Sequence, residues 1–243
     1  YYTQGNSPIS DMQWDAMYDE LAALEKSTGI TLADSPTHRV GGAPLKGFEE
    51  HRHITRLWSM DKVQSIGALE DWVRRTEKLV GRTDLQYYVE YKFDGLTLYL
   101  TYRDGKLVQA ATRGNGEVGE AILPQARTVR TVPLSIPYKG LLEVQGECIM
   151  RLSVLAEYNK TAKEPLKNAR NAAAGALRNQ DAAVTASRKL DAFFYQIGTI
   201  ENPPYDSQPE MLQFLRDNGF PVSPYLGEPK NGEELIACIR HIE

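Results

Sequence analysis

From residue 86 onward the apolar residues change their spacing from the three-to-four of a helix to the two of a strand, and this switch decides the fold class. Residues 86–94 read as a strand. Residues 96–102 alternate Leu and Tyr with Thr, Asp104-Gly105 marks a tight hairpin, and residues 107–112 return. Further strands are expected at 141–150 and 192–197. Helices are expected at 153–163, 168–179 and 208–218, followed by Gly219, a short strand and a last helix at 233–243.

Ahead of the switch the pattern is helical. Ser10 and Gln13 make a capping box, and Pro8-Ile9 leads into it. Trp14, Met17, Leu21 and Leu24 recur at helical spacing and should face a core, while Asp11, Asp15 and Tyr18 share another face. A loop with Asp34-Ser35-Pro36 and Gly41-Gly42 follows. A second amphipathic helix at 66–80 carries Leu69, Trp72, Val73 and Leu79, with Gly81 just beyond. The whole reads as a small helical module joined, in the 40s to 60s, to an α+β domain on an antiparallel sheet.

Composition narrows the function classes. No apolar run approaches the roughly 18 residues of a membrane span, and no signal peptide opens the chain. The net charge of −4 argues against gripping nucleic acid by charge alone. Its distribution is uneven. Residues 1–36 hold Asp11, Asp15, Asp19, Glu20, Glu25 and Asp34 against Lys26. Residues 160–189 hold Lys160, Lys163, Lys167, Arg170, Arg178, Arg188 and Lys189 against Glu164 and Asp181. Two differently charged ligands would explain this, and so would solvated helix faces. Cys148 and Cys238 have no metal-ligand spacing and read as buried thiols in a reducing compartment, with the cytoplasm as default. The chain lacks an initiator Met and its last helix has no stop signal, so an excised fragment is expected.

The chemistry centres on Glu90-Tyr91-Lys92-Phe93-Asp94-Gly95. On a strand, Glu90, Lys92 and Asp94 would share one face, with Tyr91 and Phe93 packed behind. A lysine there is a plausible nucleophile once burial or nearby cations lower its pKa. A cross-strand ion network would look the same. In Ala111-Thr112-Arg113-Gly114-Asn115-Gly116, with Gly119-Glu120 after it, glycines would let backbone N–H groups approach a phosphate or ribose beside Arg113; a plain glycine turn fits equally. Glu143-Val144-Gln145-Gly146-Glu147 puts two acids on one strand face and, alone, reads as structural. Arg170 and Arg178 lie on one side of an Ala-rich helix, which suits phosphate binding or a simple exposed basic face.

In this order the motifs resemble the adenylation domain of NAD+-dependent DNA ligases, over nearly the whole chain. Lys92-Phe93-Asp94-Gly95 is the K-x-D-G element of the wider nucleotidyltransferase superfamily. The runs Ala111 to Gly116 and Arg170 to Arg178 are more specific to the NAD+ enzymes. So are Tyr1-Tyr2, Pro8-Ile9-Ser10-Asp11 and Trp14-Asp15, and Asp34-Ser35-Pro36-Thr37 and Ser59-Met60-Asp61 match further landmarks. Asn115 stands where the family more often has Asp.

The resemblance implies an α+β, antiparallel-sheet, ATP-grasp-like adenylation domain at 46–243, truncated at its end, behind a partial helical module at 1–45. It implies that Lys92 attacks the α-phosphate of NAD+, expels nicotinamide mononucleotide and becomes lysyl-AMP, for later transfer to the 5′-phosphate of nicked duplex DNA. Asp94 would be the electrostatic partner of the lysine and of Mg2+. Glu90 would meet the adenine edge, Tyr195 stack on the ring, Ser59 sit near the phosphates, and Arg113 and Glu147 near the ribose and α-phosphate. Tyr1, Tyr2, Asp11, Trp14 and Asp15 would form the nicotinamide site, where aromatic faces and carboxylates suit a cationic ring. Arg170 and Arg178 would approach phosphates of AMP or DNA. No residue is assigned as a metal ligand, and the family's zinc site belongs to other domains. A monomer is expected, and one unable to seal nicks alone. The competing readings are an ATP-dependent nucleotidyltransferase and a nucleotide-binding module without turnover.

Overall fold

The computed structural model describes residues 11–32, 34–39, 47–58 and 60–242. The chain divides into two compact units, Tyr1–Leu57 with Phe93–Val222, and Trp58–Lys92 with Ser223–Glu243.

In the first unit, α1 (Asp11–Thr28) runs to a short 3-10 turn at Pro36–Arg39. The covered stripe of α1 is Tyr18, Leu21, Ala22 and Glu25, each half-buried. This differs from the expected core face: Met17 and Leu24 are 57% and 53% exposed. A polar anchor sets the face, because Thr37 Oγ1 donates to Glu25 Oε2 at 2.6 Å, and residues four apart on a helix turn the same way. The side chains of Asp11, Trp14 and Asp15 lie outside the described residues.

The body of this unit is a four-stranded antiparallel sheet. It comprises β2 (Leu96–Arg103), β3 (Lys106–Thr112), β5 (Leu142–Ile149) and β6 (Asp191–Ile200), in the order β3-β2-β5-β6. A second ribbon pairs β1 (Glu50–Arg52) with β4 (Val118–Glu120). The predicted hairpin is present: Asp104 and Gly105 both take positive φ, 48° and 76°, as a tight turn of this hand requires. The expected fold, mixed helix and antiparallel sheet, is therefore observed. Leu98, Leu100, Val144 and Phe194 line the apolar face of the sheet and are almost wholly buried. Phe220 meets the Tyr102 and Phe194 rings edge-on, at 5.4 and 5.0 Å between centroids. Helices α3 (Leu123–Thr128), α4 (Leu152–Thr161), α5 (Ala169–Leu177), α6 (Ala182–Ser187) and α7 (Gln208–Asp217) complete the unit. Of these, α3 and α6, six residues each, are too short to show a period in the sequence.

The second unit holds α2 (Ile66–Val80) and α8 (Gly232–Ile242). Ser65 Oγ caps α2 by accepting from Ala68 N, and Gly81 closes it in a left-handed conformation. Val73, Tyr87 and Leu235 form a small core with Leu69, Trp72, Val89 and Ile239, whereas Leu79 is 88% exposed.

Residues 86–94 are not a strand. Tyr87 N donates to Pro229 O at 2.8 Å and Val89 N to Gly227 O at 2.9 Å, but only Val89 and Gly227 form a bridge. Pro229 has no N–H with which to return the bond to Tyr87, so the ladder stops after one rung. The short strand expected after Gly219 is also absent: Phe194 N donates to Pro221 O at 2.8 Å, and Pro221 has no N–H to return the bond.

Candidate functional site

Alternate residues of a strand share a face, so β5 turns Glu143, Gln145 and Glu147 to the side opposite the apolar core. Their partners in register on β2 are Thr101, Tyr99 and Thr97. This polar face is nonetheless covered: Tyr99 is 1%, Glu143 0% and Glu147 9% exposed. Gln145 Nε2 donates to the Tyr195 hydroxyl at 3.0 Å. Burial, then the nearby Glu147 carboxylate, push the Tyr195 phenol up to about 12, so the ring stays neutral in ordinary buffers. Arg113 works against that rise in both Tyr195 and Tyr99, which puts its charge within reach of both rings. Arg113, Glu147 and Tyr195 are thus brought together in the first unit.

The segment leading into β2 is fastened to the same face. Phe93 stacks on Phe193 of β6, with centroids 4.4 Å apart and planes at 7°. Gly95 N donates to Glu147 Oε1 at 3.2 Å. A Cβ on Gly95 would stand 2.0 Å from Cys148 O, so only glycine permits this approach. Asp94, between the two anchored residues, is exposed and accepts from Arg170 Nη1 at 3.1 Å.

Lys92 is exposed and Glu90 half-buried; both belong to the second unit. The strand that would have set Glu90, Lys92 and Asp94 on one face is absent, and Tyr91, expected to pack behind it, is 60% exposed. Ser59, Tyr1 and Tyr2 lie outside the described residues.

The glycine-rich run is a closed turn. Gly116 N donates to Arg113 O at 3.0 Å and Asn115 N to Val118 O at 3.2 Å. Asn115 Oδ1 accepts from Glu117 N at 2.9 Å and from Val118 N at 2.8 Å. Those four N–H groups are spent inside the loop and do not offer the phosphate cradle that the glycines suggested. Gly114 is needed because its φ is +56° and a Cβ would come 1.9 Å from Val118 O. The loop instead fixes where Arg113 departs from β3.

Helix α5 is capped by Asn168, which accepts from Asn171 N at 3.1 Å. Its alanines serve packing, with Ala172, Ala173 and Ala176 buried beside Leu177. Arg170 sits in the first turn and Arg178 at the C-cap, outside the helix proper. Arg178 Nη2 donates to Glu120 Oε1 at 2.7 Å. Both arginines remain more than half exposed, so the carboxylates hold them loosely. Neither the Glu120 partner of Arg178 nor the cluster of His51, His53 and Glu143 is signalled by local sequence. A three-residue strand such as β1 leaves no period to read.

A family model described as the NAD-dependent DNA ligase adenylation domain matches residues 45–243. The chain belongs to this family. Residues 1–41 match a second model, the DNA ligase-like N-terminal NAD+-binding domain. Among curated relatives, a DNA ligase of Alkaliphilus metalliredigens is 52% identical over 100% of this chain and 37% of its own length. One of Alkaliphilus oremlandii is 55% identical over 93% and 34%. One of Finegoldia magna is 47% identical over 100% and 38%. This member of the adenylation family therefore spans little more than a third of the length of those relatives. No helix among its described residues is long and apolar enough to cross a membrane.

Proposed function

We propose that this chain performs the adenylation half-reaction of a DNA ligase, taking AMP from NAD+ onto Lys92. Nζ of Lys92 would form an N–P bond with the α-phosphorus, its displaced protons passing to solvent. The bond from phosphorus to the bridging oxygen would break, and nicotinamide mononucleotide would leave with that electron pair. The observation that carries this reading is the Gly95–Glu147 hydrogen bond, which ties the Phe93-Asp94-Gly95 part of the motif that follows Lys92 to the polar face bearing Tyr195 and Arg113. On that face Tyr195 supplies a neutral ring for adenine, and Arg113 and Glu147 supply charge and hydrogen bonding for the α-phosphate and ribose. Glu90 reads the adenine edge and Ser59 the phosphates.

Asp94 is exposed and offers hard oxygen donors that suit Mg2+, held by one or two carboxylates and the substrate phosphates. A bound Mg2+ would supply charge neutralisation at the phosphate oxygens. Arg170 and Arg178 exchange their carboxylate partners for phosphates of AMP or of nicked duplex DNA. Tyr1, Tyr2, Asp11, Trp14 and Asp15 hold the nicotinamide mononucleotide half, in a module at 1–45 ahead of the adenylation domain at 46–243. The chain works as a monomer in the cytoplasm.

Calorimetric titration with NAD+, ATP, AMP and nicotinamide mononucleotide tests the donor. NAD+ should bind more tightly than ATP, and Asp15→Ala should weaken the mononucleotide while sparing AMP. Preference for ATP, or equal loss of both halves in a folded variant, would remove the dedicated nicotinamide site.

A further inference from the structure

Among the described residues, His51, His53 and Glu143 bring one donor atom each to within 4.8 Å of one another. His51 lies on β1 and His53 just beyond it, while Glu143 lies on β5, ninety residues on in the chain but in the same unit. Their hydrogen bonding is incomplete. Glu143 is wholly buried, its Oε1 has no partner, and its Oε2 has only Thr199 Oγ1 at 3.5 Å. His53 is 7% exposed, and its Nδ1 is buried without a partner. Its Nε2 is 3.1 Å from the carbonyl oxygen of Arg113. A carbonyl only accepts, so Nε2 carries the ring hydrogen and a neutral His53 presents a bare lone pair at Nδ1. An ionised carboxylate is likewise an acceptor, so these two groups cannot satisfy one another.

We propose that His51, His53 and Glu143 bind one divalent cation of the zinc class, which joins β1 to the polar face of β5. Two imidazoles are borderline nitrogen donors that, with one carboxylate, favour Zn2+ or Co2+ over Mg2+, which prefers oxygen alone. A ring N–H held by a backbone carbonyl is how metal-bound histidines are usually oriented. Ligands of a tetrahedral zinc stand about 3.3 Å apart, given Zn–N bonds of about 2.0–2.1 Å. Binding therefore closes the cluster by about 1.5 Å at most, a shift within reach of the three-residue strand β1. Because His53 also holds Arg113 O, the ion would fix the base of the 113–118 loop. The site is separate from the Mg2+ of the adenylation reading and does not rest on it. The rival occupant is a proton shared between Glu143 and His53.

The test is titration of chelator-treated protein with Co2+ and Zn2+, read by visible absorption, by metal content after gel filtration and by thermal melting. One Co2+ per chain is expected, with nitrogen and oxygen ligation, no thiolate charge-transfer band and a raised melting temperature. His51→Asn and Glu143→Gln should each weaken binding at least 10-fold in protein of unchanged circular dichroism, and His241→Asn should not. His51 is only half-buried, so its variant keeps the test open if Glu143→Gln fails to fold. Absent stoichiometric binding, binding indifferent to His51→Asn, or a thiolate spectrum would each overturn the site. A Glu143→Gln protein more stable than the parent without any metal effect would assign the shared proton instead.

Discussion

The backbone N–H of Gly95 donates to Oε1 of Glu147 at 3.2 Å, while the Gly95 Cα faces the Cys148 carbonyl so closely that a Cβ would come within 2.0 Å of its oxygen. Gly95→Ala must therefore push the start of β2 away from β5. We expect a loss of about 3 kcal/mol in denaturant unfolding, at the upper end of overpacking costs. Gly175→Ala, where nothing lies within 4 Å, should be neutral or stabilising by up to ~1 kcal/mol. Equal effects of the two substitutions would contradict the close-approach argument.

Asn115 ends two backbone orphans with one side-chain oxygen, accepting from Glu117 N and Val118 N. Removing it in Asn115→Ala should cost about 1 kcal/mol, since solvent can reach part of the loop. Asn115→Asp keeps the acceptor and should restore most of that stability. Amide hydrogen exchange at Glu117 and Val118 reads the difference directly: fast in the alanine variant, slow in the aspartate variant.

A hydrogen bond from Lys106 Nζ, 2.5 Å from Asp34 Oδ2, holds the Asp34 carboxyl below the usual carboxylate range. A carboxylate with a depressed folded-state pKa stabilises the fold above its unfolded pKa, about 3.9, and loses that contribution as pH falls through the folded value. Melting temperatures of the parent should therefore exceed those of Asp34→Asn at pH 6, and the gap should narrow as pH falls below the unfolded value of about 3.9. The pair is partly exposed, so the gap corresponds to under about 1 kcal/mol. A gap that widens on acidification would reverse the assigned sign.

Arg170 and Arg178 each hold one exposed carboxylate, Asp94 and Glu120. Such pairs contribute about 0–1 kcal/mol, so Arg170→Ala and Arg178→Ala should melt close to the parent. If their role is phosphate binding, each should weaken AMP or nicked duplex binding roughly 10-fold, the cost of a lost charge-assisted contact. Collapse of the fold, or unchanged affinity for both ligands, would make them structural.

Where the pattern is local, residues alone sufficed. Helix α2 begins at its Ser65 cap and ends at Gly81, and the Asp104-Gly105 hairpin and β5 lie where alternation puts them. The misreadings depend on partners distant in the chain. Residues 86–94 alternate like a strand, but the missing N–H of Pro229 ends their pairing. The face of α1 is chosen by Thr37 through Glu25 and not by the Met17–Leu24 spacing. Glycines near Arg113 suggested open N–H groups, and Asn115 closes them. The site shows the same division: the Lys92-Phe93-Asp94-Gly95 run is readable as a string, whereas the fastening of Phe93 to Phe193 and of Gly95 to Glu147 requires the sheet. His51, His53 and Glu143 meet only because β1 and β5 carry them together.

Intact mass after incubation with Mg2+ and either NAD+ or ATP, with Lys92→Ala in parallel, tests the central claim most directly. A gain of one AMP from NAD+ alone is expected, absent from the Lys92→Ala protein. A gain from ATP but not from NAD+, or an equal gain in the Lys92→Ala protein, would contradict it.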